Sequence, residues 1–279
     1  MSKFKDITVV VMHGNGGVDK EMAALEKTSK GLPGCKTLVI TNELIKTKHP
    51  QKLVYQKLDY FGIQEFMVYC MHNYIKTDYA LIVQSDGWLL NADNWDDRWF
   101  EYDYVGAYTH AALEGDKFYW WYQWEKECKN PVVVQNGGFS LRSRKLLAAP
   151  TQYGIVKHFQ NGDTRLWNED IQLCCWMRPA LEKMGIKFAP FEVAKYFSFE
   201  HLSPGLHKDL DLTKMFGHHS RFRRLTGPND MTWQLTKEET NQISNEIKVL
   251  ELFKHYGYTI NGTDYSQVPP SERSQTILV

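Results

Sequence analysis

The chain has no excess of either charge: lysine plus arginine and aspartate plus glutamate both number 33 in 279 residues. Nucleic-acid and membrane-surface binders ordinarily carry a basic surplus, so neither is expected as a partner. No apolar run nears the ~20 residues of a spanning helix, so no integral membrane segment is expected. Cysteines are few and odd in number (Cys35, Cys70, Cys128, Cys174, Cys175), without a C-x-x-C pair. That excludes a disulfide framework or zinc ribbon and points to reduced thiols. The opening MSKFKDITVVVMHG has too short an apolar run for a signal peptide and reads as a first strand, giving a cytoplasmic expectation. There is no G-x-x-x-x-G-K-[ST] loop and no complete G-x-G-x-x-G fingerprint. A G-x-S-x-G elbow is also missing, which removes the hydrolase that HGNGG (13–17) would otherwise invite. No internal repeat or linker divides the body.

What is present suits a globular α/β chain, with 43% hydrophobic residues to build a core. Ile7–Met12 is a continuous β-branched run, expected as a buried strand. A helix is expected over 18–30, closed by Gly31 and Pro33, then a strand over Thr37–Thr41. Ile63, Phe66, Met67, Cys70, Met71 and Tyr74 recur at helical spacing, followed by a strand over Tyr79–Val83. This alternation predicts a mostly parallel sheet flanked by helices. Beyond it, short strands are expected at Tyr104–Ala107, Val132–Val134 and Lys187–Ala189. Helices are expected at Ser143–Ala148 and over Glu169–Lys183, the latter broken at Pro179. Thr236 and Glu239 form a capping box for a C-terminal helical extension. Residues 263–279 read as a polar, disordered tail after one domain spanning 1–262.

Four segments carry chemistry. YALIVQSDGWLL sets Gln84, Ser85 and Asp86 at the end of a buried strand, where open α/β sheets bind ligands. A carboxylate there suits a hard divalent ion, Mn²⁺ or Mg²⁺, bridging nucleotide phosphates, although Asp-Gly is also a plain turn signal. VVVQNGGFSLRSRKLL offers Gly137 and Gly138 for close backbone approach to a ligand, or a glycine bulge. WNEDIQLCCW opens a helix with Glu169 and Asp170, which suits a general base and equally the helix dipole. MFGHHS supplies His218 and His219, histidines able to complete a metal site or to sit inertly. The aromatic run FYWWYQW contributes Trp120, Trp121 and Trp124, either core or a platform for a sugar face.

Taken in order, TDYALIVQSDGWLLNADNW, EYDYVGA, QNGGFSLRSRKLL, NEDIQLC, GIKFAPFEVAKYFSFE and FGHH resemble a family of glycosyltransferase-like proteins related to the GT-A nucleotide-sugar transferases. The resemblance covers about Thr77 to His219. It implies a GT-A-like single domain, hexosyl transfer from a nucleotide-diphosphate donor to a hydroxyl acceptor, and a divalent metal. It assigns Asp86 to the metal, Gly137 and Gly138 to the sugar site, and Asp170 to the base of an inverting reaction, with Glu169 beside it. The family's closing pattern is phenylalanine, glycine, an aromatic and histidine, so His219 is the expected ligand and His218 the substituted position. The chain departs from the D-x-D pattern, having Gln84 and Ser85 before Asp86. His13 is expected near the nucleotide. A retaining transferase of the same fold and a catalytically inactive glycan-binding relative stand as alternatives.

Overall fold

The computed structural model describes residues 3–14, 18–159, 163–234 and 243–262. Its strands are β1 (Ile7–His13), β2 (Lys36–Thr41), β3 (Gln51–Leu53), β4 (Tyr79–Ile82), β5 (Gly87–Leu89), β6 (Tyr104–Glu114), β7 (Lys117–Tyr119), β8 (Val132–Ser143), β9 (Ser198–Phe199), β10 (Gly217–His219), β11 (Arg223–Leu225), β12 (Asp230–Trp233) and β13 (Thr259–Gly262).

The central sheet runs β3-β2-β1-β4-β8-β6-β7. β1 is buried on both faces because helices cover both. Val9 and Val11 share a core with Ala24 and Leu25 of the helix Val18–Gly31. Val10 and Met12 share another with Phe66 and Met67 of the helix Tyr60–Tyr69. That double burial is why the strand reads as an unbroken apolar run. Asp59 starts the second helix by accepting from the Gly62 amide at 3.0 Å.

The sheet is half parallel rather than mostly so. β3, β2, β1 and β4 pair in parallel, whereas β4–β8, β8–β6 and β6–β7 are antiparallel. The later strands are also longer than expected. β6 and β8 run 11 and 12 residues, far beyond the short strands expected, because polar Thr109, His110, Gln135 and Asn136 interrupt the apolar pattern without ending the pairing. The expected strand at 187–189 is only a single bridge, from Phe188 to Tyr104. The expected helix over 169–183 is an α-turn (Glu169–Ile171), a π-turn (Gln172–Trp176) and a helix (Arg178–Lys183) that Pro179 begins rather than breaks.

Two small sheets complete the fold, in the orders β5-β10-β9 and β11-β12-β13. The C-terminal region is therefore mixed, its helix Ile243–His255 packing with β13. The Thr236–Glu239 capping box and the tail from 263 lie outside the described residues. Among the described residues no helix is long and apolar enough to cross a membrane, and all five cysteines are free thiols.

Candidate functional site

In this sheet the chain leaves β1 toward β2 on one side and returns to β4 on the other. The carboxyl ends of β1 and β4 therefore form a switch point, where open α/β sheets hold ligands. A cleft of about 550 Å³ opens there, lined among others by Gln84, Asp86, Gly138, Glu169, Asp170 and His219. A larger cavity, about 800 Å³, lies between the helix Val18–Gly31 and the Leu89–Ala92 and Gly227–Asn229 segments. Lys27 on its wall already donates to Pro228 O and Asn229 Oδ1. It has no convergence of carboxylates and imidazoles, so the smaller cleft is the candidate site.

Asp86 sits in a turn after β4: reciprocal Gln84–Gly87 backbone bonds of 2.9 Å leave Ser85 and Asp86 at its tip. Gly87 then opens β5, which pairs antiparallel with β10 so that His219 lies opposite Gly87. This register carries a distant histidine to the strand end: His219 Nε2 is 3.4 Å from Asp86 Oδ1. Burial disfavours both charges, yet each outweighs that penalty for the other. The Asp86 carboxyl is held below its ordinary range, with Arg224 contributing. His219 is raised, with Glu200 and Asp170 adding to the effect of Asp86.

His218, one residue earlier, projects to the other face. It is fully buried, 4.0 Å from the Trp88 ring and 4.8 Å from Phe253. Strand alternation separates the two histidines, so His218 belongs to the core and not to the cleft.

Gly137 and Gly138 lie inside β8, at a bulge. Gly106 pairs with Ser140 and Tyr108 with Gln135, so two steps along β6 match five along β8. From Tyr108–Gln135 to Ala112–Val133, four steps along β6 match two along β8. Two opposed bulges thus lie side by side. One contains Gly137 and Gly138, the other Thr109, His110 and Ala111, and Thr109, His110, Ala111 and Gly138 all line the cleft. The glycines are required by space: a Cβ on Gly138 would lie 2.2 Å from His219 Nε2, and one on Gly137 1.9 Å from Glu169 Oε1.

Glu169 and Asp170 have different surroundings. Glu169 is buried and receives Arg142 Nη2 at 2.6 Å; Arg142 is itself fully buried. The Glu169 amide donates to Gln64 Oε1. Asp170 is half-buried and accepts from the Ile171 and Gly137 amides at 2.8 and 3.3 Å. Burial first, then the neighbouring Glu169 and Glu200, push its carboxyl up to about 7. Asn168, just before the pair, is left-handed at φ 45° and accepts from the Tyr60 hydroxyl. The π-turn follows directly, so both sides of the pair depart from regular helix.

The other expected site residues divide. Gln84 lines the cleft. Ser85 is buried, its amide and hydroxyl both donating to Glu21 at 2.7 and 2.8 Å. His13 ends β1 beyond the cleft lining, and its charge acts on the same Glu21. Trp120 is 43% exposed and lines the cleft; Trp121 is 48% exposed and stacks on His110 at 4.6 Å. Trp124 is buried with Ala112, Tyr119 and Val133, so it is core rather than platform.

Several cleft residues carried no sequence signal of their own: Tyr60, Gln64, His110, Asn136 and Glu200. Arg221 and Arg224, exposed at the rim, were detectable only as a basic run, SRFRR. None of the curated proteins compared with the chain matches it. Residues 62–219, from the helix bearing Gln64 to His219, match the model of the family described as "Protein of unknown function (DUF5672)", and by that match the chain belongs to this family.

Proposed function

We propose that the cleft is the active site of a metal-dependent glycosyltransferase, moving a sugar from a nucleotide-diphosphate donor to a hydroxyl acceptor with inversion. The carrying observation is that Asp86, His219 and Asp170, from three distant segments, line one cleft at the carboxyl end of β4. Asp86 and His219 suit Mn²⁺ or Mg²⁺: they offer one carboxylate oxygen and one imidazole nitrogen, with the other His219 nitrogen buried and unpartnered. Such an ion, when bound, would offset the charge that develops on a departing diphosphate.

The chain's own groups supply the rest. Arg221 and Arg224 at the rim present guanidinium groups to phosphate oxygens. Gly138 gives the sugar close access to backbone, which any side chain there would block. Glu169 is engaged by Arg142 and holds the wall in place, whereas Asp170 beside it in the cleft lining accepts from the backbone amides of Ile171 and Gly137. A carboxyl near 7 is matched to neutral operation. Ionised, it takes the proton of the acceptor hydroxyl as that oxygen bonds to the anomeric carbon and the bond to the diphosphate breaks. Trp120 at the cleft edge offers a ring to the acceptor's apolar face. Reduced thiols accord with a cytoplasmic setting.

A panel of nucleotide sugars, scanned by thermal shift with and without Mn²⁺ and then assayed for transfer or donor hydrolysis, tests the proposal. A Mn²⁺-dependent rise in Tm for one donor, with turnover and an inverted product anomer, is the expected result. Absence of any donor-specific shift or turnover, with glycans alone still binding, would replace it with the non-enzymatic glycan-binding alternative.

A further inference from the structure

On the wall of the cleft, beside Asp86 and His219, stand three groups for which the transfer reaction above has no use: His110, Glu200 and His201. One ligand-type atom from each lies within 4.8 Å of the others. His110 Nδ1 is 3.7 Å from Glu200 Oε2, and His201 Nε2 is 3.7 Å from Glu200 Oε1. These separations are too long for hydrogen bonds. They lie only a few tenths of an ångström beyond the roughly 3.4 Å between ligands on a tetrahedral ion with bonds of about 2.0–2.1 Å. His110 Nδ1, facing Glu200, is buried without a hydrogen-bond partner, a costly state for a polar atom.

Two separate segments of the fold converge to make the cluster. β9 pairs in parallel with β10, with His218 beside Phe199, so the chain continues as Glu200 and His201 next to His219. His110 projects from the bulge in β6. Trp121 stacks on the His110 ring with 19° between planes. Trp121 and Tyr122 hold consecutive left-handed conformations, φ 56° and 63°, which bulky side chains rarely adopt. The Tyr122 hydroxyl donates to His201 O at 2.9 Å, fixing the same strained turn to the cluster. Beneath Glu200, Arg223 donates to its carbonyl at 2.6 Å and faces Glu246 at 3.6 Å, so its charge is opposed.

We propose that His110, Glu200 and His201 form a second metal centre, selective for a borderline first-row divalent ion such as Zn²⁺ or Co²⁺. Two imidazoles and one carboxylate suit such ions better than Mg²⁺ or Ca²⁺, which prefer all-oxygen shells. His110 and Glu200 line the cleft while His201 stands behind them. The ion keeps an open position toward the cleft, the arrangement of a catalytic rather than a structural site. This centre does not depend on the sugar-transfer proposal and is tested without any nucleotide.

The experiment takes the full chain, stripped with EDTA, and titrates it with Co²⁺ alone. It reads stoichiometry by elemental analysis and ligand-field bands by visible absorption, with circular dichroism checking the fold of each variant. Wild-type protein should take up one tight equivalent with low-symmetry bands that Zn²⁺ bleaches. Glu200→Gln, which preserves shape, and His110→Ala, at a partly accessible ring, should each weaken uptake at least tenfold. Asp86→Asn should leave the bands in place. The proposal is overturned if folded wild-type protein takes up no Co²⁺. It is equally overturned if both cluster variants bind as tightly as wild type, or if Asp86→Asn abolishes the bands.

Discussion

Two acid–base pairs share this cleft, and they differ in almost every respect. Arg142 and Glu169 meet at 2.6 Å with both side chains essentially sealed from solvent. Asp86 and His219 meet at 3.4 Å with 14% and 13% of their side chains exposed. The first pair is closed, its distance short enough that no ligand fits between. The second is loose and open to the cleft, as expected of groups that hold something else. Buried pairs penalise loss of one partner because the survivor is stranded, whereas open pairs contribute little to stability. The contrast therefore separates what holds the wall from what handles a ligand.

Breaking the closed pair should have the largest effect. Glu169→Ala strands Arg142, whose Nη1 already lacks a partner, and should cost about 3–5 kcal/mol. Chemical denaturation would read this as a lower midpoint at unchanged slope. A loss below about 1 kcal/mol would mean that the pair is not closed in solution.

The next effect falls on rate. Asp170→Asn should lower transfer by about 10²–10⁴-fold while donor binding persists. The same variant sharpens the comparison through pH. Asp170 has its folded pKa raised to about 7 from the ordinary carboxylate range, so its contribution is full below the unfolded value and is lost as pH rises through the folded one. Wild-type stability relative to Asp170→Asn should thus decline between about pH 4 and 7, leaving the variant the more heat-resistant at neutral pH. Parallel Tm curves for the two proteins would contradict this. Wild-type turnover should rise through the neutral range as the carboxyl ionises.

A smaller effect on stability is expected at the open pair. Asp86→Asn should cost less folding stability than Glu169→Ala, because the amide keeps the shape and the pair retains some contact with solvent. It should nonetheless abolish Mn²⁺-dependent donor binding, which calorimetry with and without the ion would detect. Large destabilisation without loss of binding would reverse the roles assigned to the two pairs.

The regular half of this fold was legible in the sequence, and the site only in part. β1, the helix after it and β4 are marked by unbroken apolar runs and helical periodicity, which survive because both sheet faces are buried. Asp86, Gly138 and Asp170 were findable because strand ends, paired glycines and helix starts leave local marks, and His219 through the family resemblance. His110 and Glu200 were not. Their positions depend on opposed bulges and on a two-residue strand, β9, that only a long-range register defines. Ser85 illustrates the converse: adjacent to Asp86, it faces away and is occupied by Glu21, which no local pattern indicates. Trp124 differs from Trp120 within one aromatic run only because the short helix it begins turns it into the core.

His218 brings a cost of its own. Both of its ring nitrogens are buried without hydrogen bonds, between Trp88, Phe199 and Phe253. An apolar ring of similar breadth would fill the same space without that deficit, which for one unpartnered buried group is about 1–3 kcal/mol. His218→Phe should accordingly raise the denaturation midpoint, and unlike Asp170→Asn it should do so at any pH. Phe253 comes from the C-terminal helix, so the ring beside His219 is wedged in place by a segment outside the stretch matched by the family. The backbone that aims His219 into the cleft is thereby clamped from the rear, and loosening of that helix would be felt at the cleft as a misdirected imidazole rather than as a lost one.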